Sequence, residues 1–247
     1  MTIALRRRLL AEFTGTALLV TAVVGSGIMA TTLSPGDVGL QLLENSTATA
    51  FALGALILIF GPVSGAHFNP VVSAADWFLG RRAGTGLTAR DLAGYTAAQI
   101  LGAIAGSILA NLMFDLGAVT LSGKDRTGGH LWLGEVVATA GLILLIFALA
   151  RSGRAPVAPA AVGAYIGAAY WFTSSTSFAN PAVTIGRAFS DTFAGIAPAS
   201  VPGFVVAQLV GLGVGVGLLA ALYPDAGDAA DQVVVPAEPD LARDDRS

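Results

Sequence analysis

The stretch "SFANPAVTIGRAF" at residues 177–189 places an Asn-Pro pair in a chain that consists largely of apolar and small residues. A second Asn-Pro pair lies in "GAHFNPVVSA" at residues 65–74. Proline is favourable at the first position of a helix, where its missing N–H would have no intrahelical partner. Each pair therefore predicts a loop followed by a short helix, at 70–79 and at 181–190. A helix of about ten residues is about 15 Å long, or half the thickness of a bilayer core.

The overall composition indicates a membrane protein. Hydrophobic residues make up 54% of the 247 residues and charged residues 12%, whereas a soluble domain carries about 25% charge. Apolar stretches long enough to cross about 30 Å of hydrocarbon lie at 8–30, 41–62, 91–113, 131–150, 156–175 and 200–223. The sequence therefore predicts an all-α membrane protein with six transmembrane helices.

The positive charges predict the orientation of these spans. Arginines precede the first span and lie between spans 2 and 3 and between spans 4 and 5, at Arg6, Arg7, Arg8, Arg81, Arg82, Arg90, Arg151 and Arg154. Only Lys124 and Arg126 lie in the loop between spans 3 and 4. The positive-inside rule therefore places both termini in the cytoplasm, with the protein in the plasma (inner) membrane. The acidic segment 224–247 has no aromatic residue and is predicted to be a disordered cytoplasmic tail.

Other function classes are disfavoured by composition and spacing. A net charge of −3 argues against a nucleic-acid partner, and the absence of cysteine excludes disulfides, thiolate ligands and cysteine nucleophiles. The sequence contains no clustered nucleophile and base, no metal-ligand spacing and no phosphate-binding loop. It therefore predicts neither an enzyme nor a cofactor or metal site.

An internal repeat organises the chain. Three features recur in the same order: a Glu followed four residues later by Thr, an Asn-Pro pair, and a Gln followed by two spaced glycines. They are "AEFTGT" and "GEVVAT", "FNPVV" and "ANPAV", and "QILGAIAG" and "QLVGLGVG". The copies cover about 8–113 and 131–223. Because each copy contains three spans, the second enters the membrane from the opposite side, which gives an inverted repeat.

The inverted repeat places one Asn-Pro loop on each side of the membrane. The simplest packing folds both loops inward until the N-termini of the two half-helices meet near the midplane. Exposed backbone at that depth is tolerated only where it lines a water-filled cavity or is buried in protein. The sequence therefore predicts a pore, within a single channel domain at 1–223.

Asn69 and Asn180 have a chemical role in such a pore. Each side-chain amide can donate a hydrogen bond to the oxygen of a passing molecule, and the opposed helix N-termini create a positive potential where they meet. A water held by two donors cannot easily receive a proton, and the positive potential excludes cations.

The six spans, "SGAHFNPVV", "FANPAV" and the glutamates of spans 1 and 4 resemble the aquaporin and aquaglyceroporin family, the major intrinsic proteins. The resemblance covers about residues 8–223. It implies a bundle of six tilted helices plus two re-entrant half-helices, with a pore in each subunit of a homotetramer. The pore boxes that it implies are Asn69, Pro70 and Val71, and Asn180, Pro181 and Ala182. The first box departs from the family's Asn-Pro-Ala at its third residue.

The resemblance also implies a role for Glu12 and Glu135. In the family, the matching glutamates accept hydrogen bonds from backbone N–H groups of the re-entrant loops, and we expect this support role here. A carboxylate inside a span is otherwise expensive and commonly functional, so a proton relay is the alternative.

A narrow selectivity filter is implied at four positions. In most members an arginine directly follows the second box, where this sequence has Val183. Counting from the family pattern without gaps places the other three positions at Thr49, Ala168 and Ser177. Small side chains at all four positions imply a wide constriction.

Arg187 lies one turn after Val183 on the same helix face. Its side chain can reach back toward the pore, or it can extend to the extracellular interface or pair with Asp191 at i+4. We favour the second of these, in which Arg187 lies at the interface or pairs with Asp191.

A wide, uncharged constriction suits small neutral solutes. The stretch "FANPAVTIGRAFSDTFAGI" resembles bacterial aquaglyceroporins associated with arsenic resistance, in which valine replaces the filter arginine. The resemblance implies a passive channel for glycerol-like polyols, undissociated arsenite and antimonite, and methylated arsenicals, with some water permeability. Two alternatives remain open: a water-selective aquaporin with an unusual filter, and a secondary transporter built from inverted repeats.

Overall fold

The computed structural model describes residues 3–81 and 83–224, and the predicted acidic tail after Pro224 lies outside the described residues. The described part forms eight α-helices. In chain order they are α1 Leu5–Leu33, α2 Val38–Ser64, α3 Pro70–Gly80, α4 Ala89–Met113, α5 Gly129–Arg151, α6 Ala158–Phe172, α7 Pro181–Arg187 and α8 Val201–Leu222. Short 3₁₀ turns at Ala155–Val157 and Pro198–Ser200 precede α6 and α8.

Six of these helices match the predicted spans, and the all-α membrane fold is confirmed. Five segments of the described chain are long and apolar enough to cross a membrane, namely α1, α2, α4, α5 and the segment Pro198–Leu222 that contains α8. The fifth predicted span, at 156–175, is shorter than expected, because α6 has 15 residues and ends at Phe172. The chain then turns toward the second Asn-Pro box.

The two half-helices begin at their prolines, as predicted. Asn69 caps α3 by accepting a hydrogen bond from the N–H of Val71, and Asn180 caps α7 in the same way. The predicted helix at 181–190 is too long, because α7 ends at Arg187. The Asn111 side chain on α4 donates to the carbonyl oxygen of Phe189 (3.0 Å), which holds the chain beyond α7 in a non-helical course.

The two repeats pack in the same manner. Helix α1 packs along α4, and α5 packs along α8 in the second copy. A Cβ atom added at Gly102 would lie 2.3 Å from the carbonyl oxygen of Phe13, and one at Gly211 would lie 2.7 Å from that of Val136. The repeat-matched glycines therefore allow close backbone contact within the chain.

Each half-helix packs against helices of both repeats. Helix α3 contacts α4 of its own repeat and α8 of the other, whereas α7 contacts α8 and α4. A Cβ atom at Gly186 on α7 would lie 2.7 Å from the backbone of Ala103 on α4. Each half-helix is thus packed between helices from both repeats, and this packing fixes where the two loops meet.

Candidate pore

The two Asn-Pro boxes meet through crossed hydrogen bonds. Asn69 Nδ2 donates to the carbonyl oxygen of Ala179 (2.7 Å), and Asn180 Nδ2 donates to that of Phe68 (2.8 Å). Each Oδ1 accepts from the first turn of its own half-helix. An amide nitrogen carries two N–H bonds, so each asparagine keeps one donor for another partner.

The loops before the boxes share an unusual backbone conformation. Residues three and one positions before each asparagine have φ between 47° and 49°, at Ala66, Phe68, Ser177 and Ala179. This left-handed region is uncommon for residues other than glycine, asparagine and aspartate. Strain of this kind persists only where surrounding contacts hold it.

Glu135 provides such contacts for the second loop. Its side chain is fully buried and accepts hydrogen bonds from the backbone N–H groups of Phe178 and Ala179, both at 2.8 Å. Gln208 Nε2 donates to the same carboxylate at 2.6 Å. The carboxylate therefore satisfies backbone donors that would otherwise be buried without partners.

Glu12 makes the corresponding contacts in the first loop. It accepts from the backbone N–H groups of His67 (3.0 Å) and Phe68 (2.7 Å) and from Gln99 Nε2 (2.8 Å). The Ser64 hydroxyl is a further donor at 2.6 Å. Both glutamates thus contact the loops in the manner that the resemblance implies.

Gln99 and Gln208 are site residues to which we gave no role from the sequence. Beside its glutamate, Gln99 donates to the hydroxyl of Ser73 on α3 (3.0 Å), and Gln208 donates to that of Thr184 on α7 (2.9 Å). Each glutamine therefore ties a glutamate to a half-helix. The signal was present in the sequence, because a repeat-matched glutamine in an apolar span is rare without a partner.

An elongated cavity passes the two asparagines. About 60 Å³ of it is open to the centre of a water-sized sphere, and it is lined by residues of α1, α2, α3, α5, α6, α7 and both loops. By this measure one water molecule needs about 10–15 Å³, so the cavity has room for several waters. Its wall is largely apolar, and no carboxylate lines it in the part of the chain that the structure describes.

Thr49, Ser177 and Val183 all line this cavity, and we call the part of its wall that they form the filter end. Ala168 does not line it and is exposed on the outside of α6. Tyr170 takes the expected place of Ala168, and its hydroxyl lies 3.3 Å from the Thr49 hydroxyl. The gap-free count failed because the cavity-facing residues of α6 recur every four positions, at Ala158, Val162, Ile166 and Tyr170.

Arg187 also lines the filter end, which corrects the interface position that we favoured. The residue is 2% exposed, its guanidinium carbon lies 3.5 Å from the centroid of the Phe178 ring, and its Nε donates to the carbonyl oxygen of Ala194. The expected pair with Asp191 does not form, because α7 ends at Arg187. Asp191 instead accepts from the N–H of Gly123 (3.0 Å).

The filter end therefore differs from the one predicted. Instead of four small side chains, it combines Thr49, Ser177 and Val183 with the larger Tyr170 and Arg187. The predicted width came from the misplaced Ala168. The observed arrangement has hydroxyl and guanidinium groups on a mainly apolar wall.

Two further cations lie close to the filter end, in the loop between α4 and α5. Arg126 Nε donates to the carbonyl oxygen of Gly195 (2.9 Å), and its guanidinium carbon lies 5.1 Å from the Phe178 ring centroid. Burial lowers the pKa of Arg126 to about 10. Lys124 Nζ donates to the carbonyl oxygen of Phe193 (2.8 Å), and partial burial, together with the two neighbouring guanidinium charges, lowers the pKa of Lys124 to about 8.

The described residues contain no group of three or more His, Asp or Glu side chains that could hold a metal ion. What the fold and the site define is a transmembrane channel. Two re-entrant half-helices from inverted repeats meet inside a helical bundle, and a cavity passes the point where they meet.

Comparison with known proteins identifies the family. The sequence pattern of the major intrinsic protein family matches residues 1–178. The chain belongs to the major intrinsic protein family and is an integral membrane protein. Members of this family are channels for water and small solutes, not enzymes.

Individual relatives agree with this assignment. The chain is 55% identical over 207 residues to the aquaglyceroporin AqpS of Rhizobium meliloti, covering 84% of this chain and 86% of that protein. It is 33% identical over 221 residues to the aquaporin AqpM of Methanothermobacter marburgensis, covering 78% and 87%. The crystal structure of the Plasmodium falciparum aquaglyceroporin superposes with a TM-score of 0.63 at 20% identity, covering 89% of this chain and 96% of that one. This last likeness concerns the fold alone.

Proposed function

We propose that this channel passes small neutral polyhydroxylated solutes, with some water permeability. The solutes are glycerol-like polyols, the undissociated trihydroxides arsenite and antimonite, and methylated arsenicals. The observation that carries the proposal is Val183, which lines the filter end where most of the family has an arginine. The Rhizobium meliloti relative, which is named an aquaglyceroporin, supports the same solute class.

The cavity suits such solutes chemically. Leu53, Ile57, Val162 and other aliphatic side chains form an apolar wall that accepts the carbon backbone of a polyol. The asparagine amides provide donors for its oxygen atoms at the meeting point of the half-helices. A neutral solute has no Born penalty for leaving water, whereas an ion would lose hydration that this wall cannot replace.

A water-selective channel is the second candidate, and one observation favours it. Tyr170 and Arg187 bring large side chains to the filter end, and the Tyr170 hydroxyl lies 3.3 Å from that of Thr49. A secondary transporter is disfavoured, because ion coupling needs a carboxylate or a similar charge in the substrate path. The described cavity wall has no carboxylate, and its one charged residue, Arg187, is held by Phe178 and the Ala194 carbonyl.

The test compares permeation in proteoliposomes by stopped-flow light scattering. Water, glycerol and neutral arsenite are measured with the wild-type protein and with Val183→Arg. We expect the wild type to pass all three and the arginine to reduce glycerol and arsenite flux more than water flux. Passage of water alone by the wild type supports the second candidate, and equal loss of all three fluxes in the variant contradicts the filter role of Val183.

We also propose the assembly and orientation that the family resemblance implies. The channel is a homotetramer in the plasma (inner) membrane, each subunit has its own pore within residues 1–223, and both termini are cytoplasmic. Large apolar residues on the outer face of α2, such as Phe51 (77% exposed) and Leu58 (65% exposed), suit contact with lipid or another subunit. Native mass spectrometry of the detergent-solubilised protein tests the oligomer, and protease accessibility of the C-terminal segment in oriented vesicles tests the topology.

A further inference from the structure

Arg187 is held rigidly at the filter end by groups other than solute. Its guanidinium carbon lies 3.5 Å from the centroid of the Phe178 ring, a distance typical of a strong cation–π contact. Its Nε donates to the carbonyl oxygen of Ala194. Phe178 is itself fixed, because its backbone N–H donates to the buried Glu135. The position of the charge is therefore determined by the fold.

The terminal N–H groups of Arg187 have no protein acceptor within the described residues, although the residue is 2% exposed and lines the cavity. The Ser177 hydroxyl in the same wall is also buried without a hydrogen-bond partner. Buried donors are rarely left unpaired, and exceptions point to an absent water or ligand. The Ser177 hydroxyl is such a donor, and Arg187 lies in the same cavity wall, so the two together indicate a place where the oxygen of a permeating molecule binds.

No carboxylate neutralises Arg187 in the part of the chain that the structure describes, where the one ion pair joins Arg8 and Asp91. Glu135 lies nearby, but both of its oxygens accept hydrogen bonds from N–H groups. Arg126 contacts the same aromatic ring and adds a second positive charge. Glu135 attracts Arg187 and Arg126, but three cations, Lys124 included, lie beside this one carboxylate, so the filter end is electropositive even though position 183 is a valine.

We propose that Arg187 is the specificity-determining cation of this pore. It supplies, one helical turn beyond Val183, the charge that excludes cations, and with Ser177 it donates to the oxygens of neutral solutes. The proposal rests on the proposed passage of small neutral solutes. It assigns charge selection and size selection to different residues: Arg187 rejects cations, while the small Val183 leaves room for solutes larger than water.

The experiment uses two probes of nearly equal size and shape that differ in charge, namely urea and guanidinium. Their entry into proteoliposomes is measured beside water permeability for the wild type and Arg187→Gln. We expect the wild type to pass urea and exclude guanidinium, and Arg187→Gln to pass both. A unit charge at about 5 Å with an effective dielectric constant of about 20 predicts that guanidinium entry rises by about 250-fold.

Two further variants serve as controls. Arg154→Gln removes the same charge from an exposed arginine whose Nε contacts only Ser152, and it should leave guanidinium excluded. The double variant Val183→Arg/Arg187→Gln returns a guanidinium group to the filter end and should exclude the cation again. Arg187→Met, whose unbranched chain can still lie on the Phe178 ring, is a second neutral variant if Arg187→Gln does not fold.

The outcomes separate this proposal from the proposed function. Guanidinium entry that changes by less than about twofold in a variant with normal water permeability overturns the role of Arg187. Parallel loss of water and urea flux, with guanidinium still excluded, indicates a packing role and also overturns it. If the wild type passes water but not urea, the proposed solute class is wrong. The role of Arg187 is then tested by the rate of proton entry, which Arg187→Gln should raise. An unchanged rate of proton entry would refute that role.

Discussion

Replacing Glu135 by glutamine tests whether this carboxylate holds the second loop in shape. Three N–H donors point at its two oxygens, from Phe178, Ala179 and Gln208. A glutamine offers one acceptor oxygen, and its own NH₂ group faces at least one of these donors. A buried donor left unpaired costs about 1–3 kcal/mol, and hydrogen bonds to a charged group contribute about 1.5–3 kcal/mol. We therefore expect the free energy of unfolding to fall by about 3 kcal/mol.

The assay is reversible unfolding in mixed micelles, followed by circular dichroism, with water permeability of the refolded protein measured in proteoliposomes. Glu44→Gln is the matched control, because Glu44 accepts one hydrogen bond, from the Ser34 hydroxyl (2.7 Å), and its Oε2 has no partner. The control should change the free energy of unfolding by less than about 1 kcal/mol. Glu135→Gln should also reduce permeability, because the carbonyls of Phe178 and Ala179 lose their fixed direction.

One result would refute this reasoning. If Glu135→Gln unfolds at the same denaturant concentration as Glu44→Gln and conducts normally, the left-handed conformations of Ser177 and Ala179 are maintained without the carboxylate. The crossed asparagine bonds and the half-helix packing would then be sufficient to hold the loop.

Three other predictions concern different parts of the molecule. Asn180→Asp replaces the Nδ2 donor to the Phe68 carbonyl by a second acceptor; the repulsion should abolish most water flux in stopped-flow assays, and normal flux would remove the crossed bond from the mechanism. Gly102→Ala should destabilise the protein by about 1–3 kcal/mol in the same micelle assay, because its Cβ would meet backbone at 2.3 Å, whereas Gly213→Ala enters open space and should be neutral or stabilising. The pKa of Lys124, the single lysine, lies at about 8 because of burial, so the ¹³C signal of its dimethylated amine should titrate there. Since folding lowers that pKa from 10.5, Lys124 should make the folded state more stable as pH rises from about 8 to 10.5, and a midpoint near 10.5 would contradict the burial.

Much of the pore could be predicted from the sequence because the repeat marks it twice. Glutamate in an apolar span is expensive unless partnered, and the recurrence of glutamates in the spans and asparagines in the loops at matched positions pointed to common contacts. The structure places Asn69 against the second loop and Asn180 against the first, which follows from two half-helices that meet end to end. Gln99 could have been given a role by the same argument.

The filter could not be predicted, because it depends on where a helix stops. The loop between α6 and Asn180 contains residues with positive φ that are neither glycine nor asparagine, including Thr176 and Ser177. Side-chain identity gives little warning of this conformation. On α6 the four-residue spacing of the cavity-facing residues brings Tyr170 instead of Ala168 into the wall, and the early end of α7 separates Arg187 from Asp191.

The same comparison of repeats explains why the two ends of the pore differ. Asp76 and Arg187 occupy equivalent positions, each seven residues after its asparagine. Asp76 is buried away from the cavity lining, and its Oδ2 accepts the N–H of Leu87 (2.6 Å) in the loop after α3. Arg187 faces the cavity instead. The groups that hold the loops are therefore shared by both repeats, while the charge that lines the cavity belongs to one repeat alone. If Arg187 selects permeating molecules as proposed, this charge can change without disturbing the common framework.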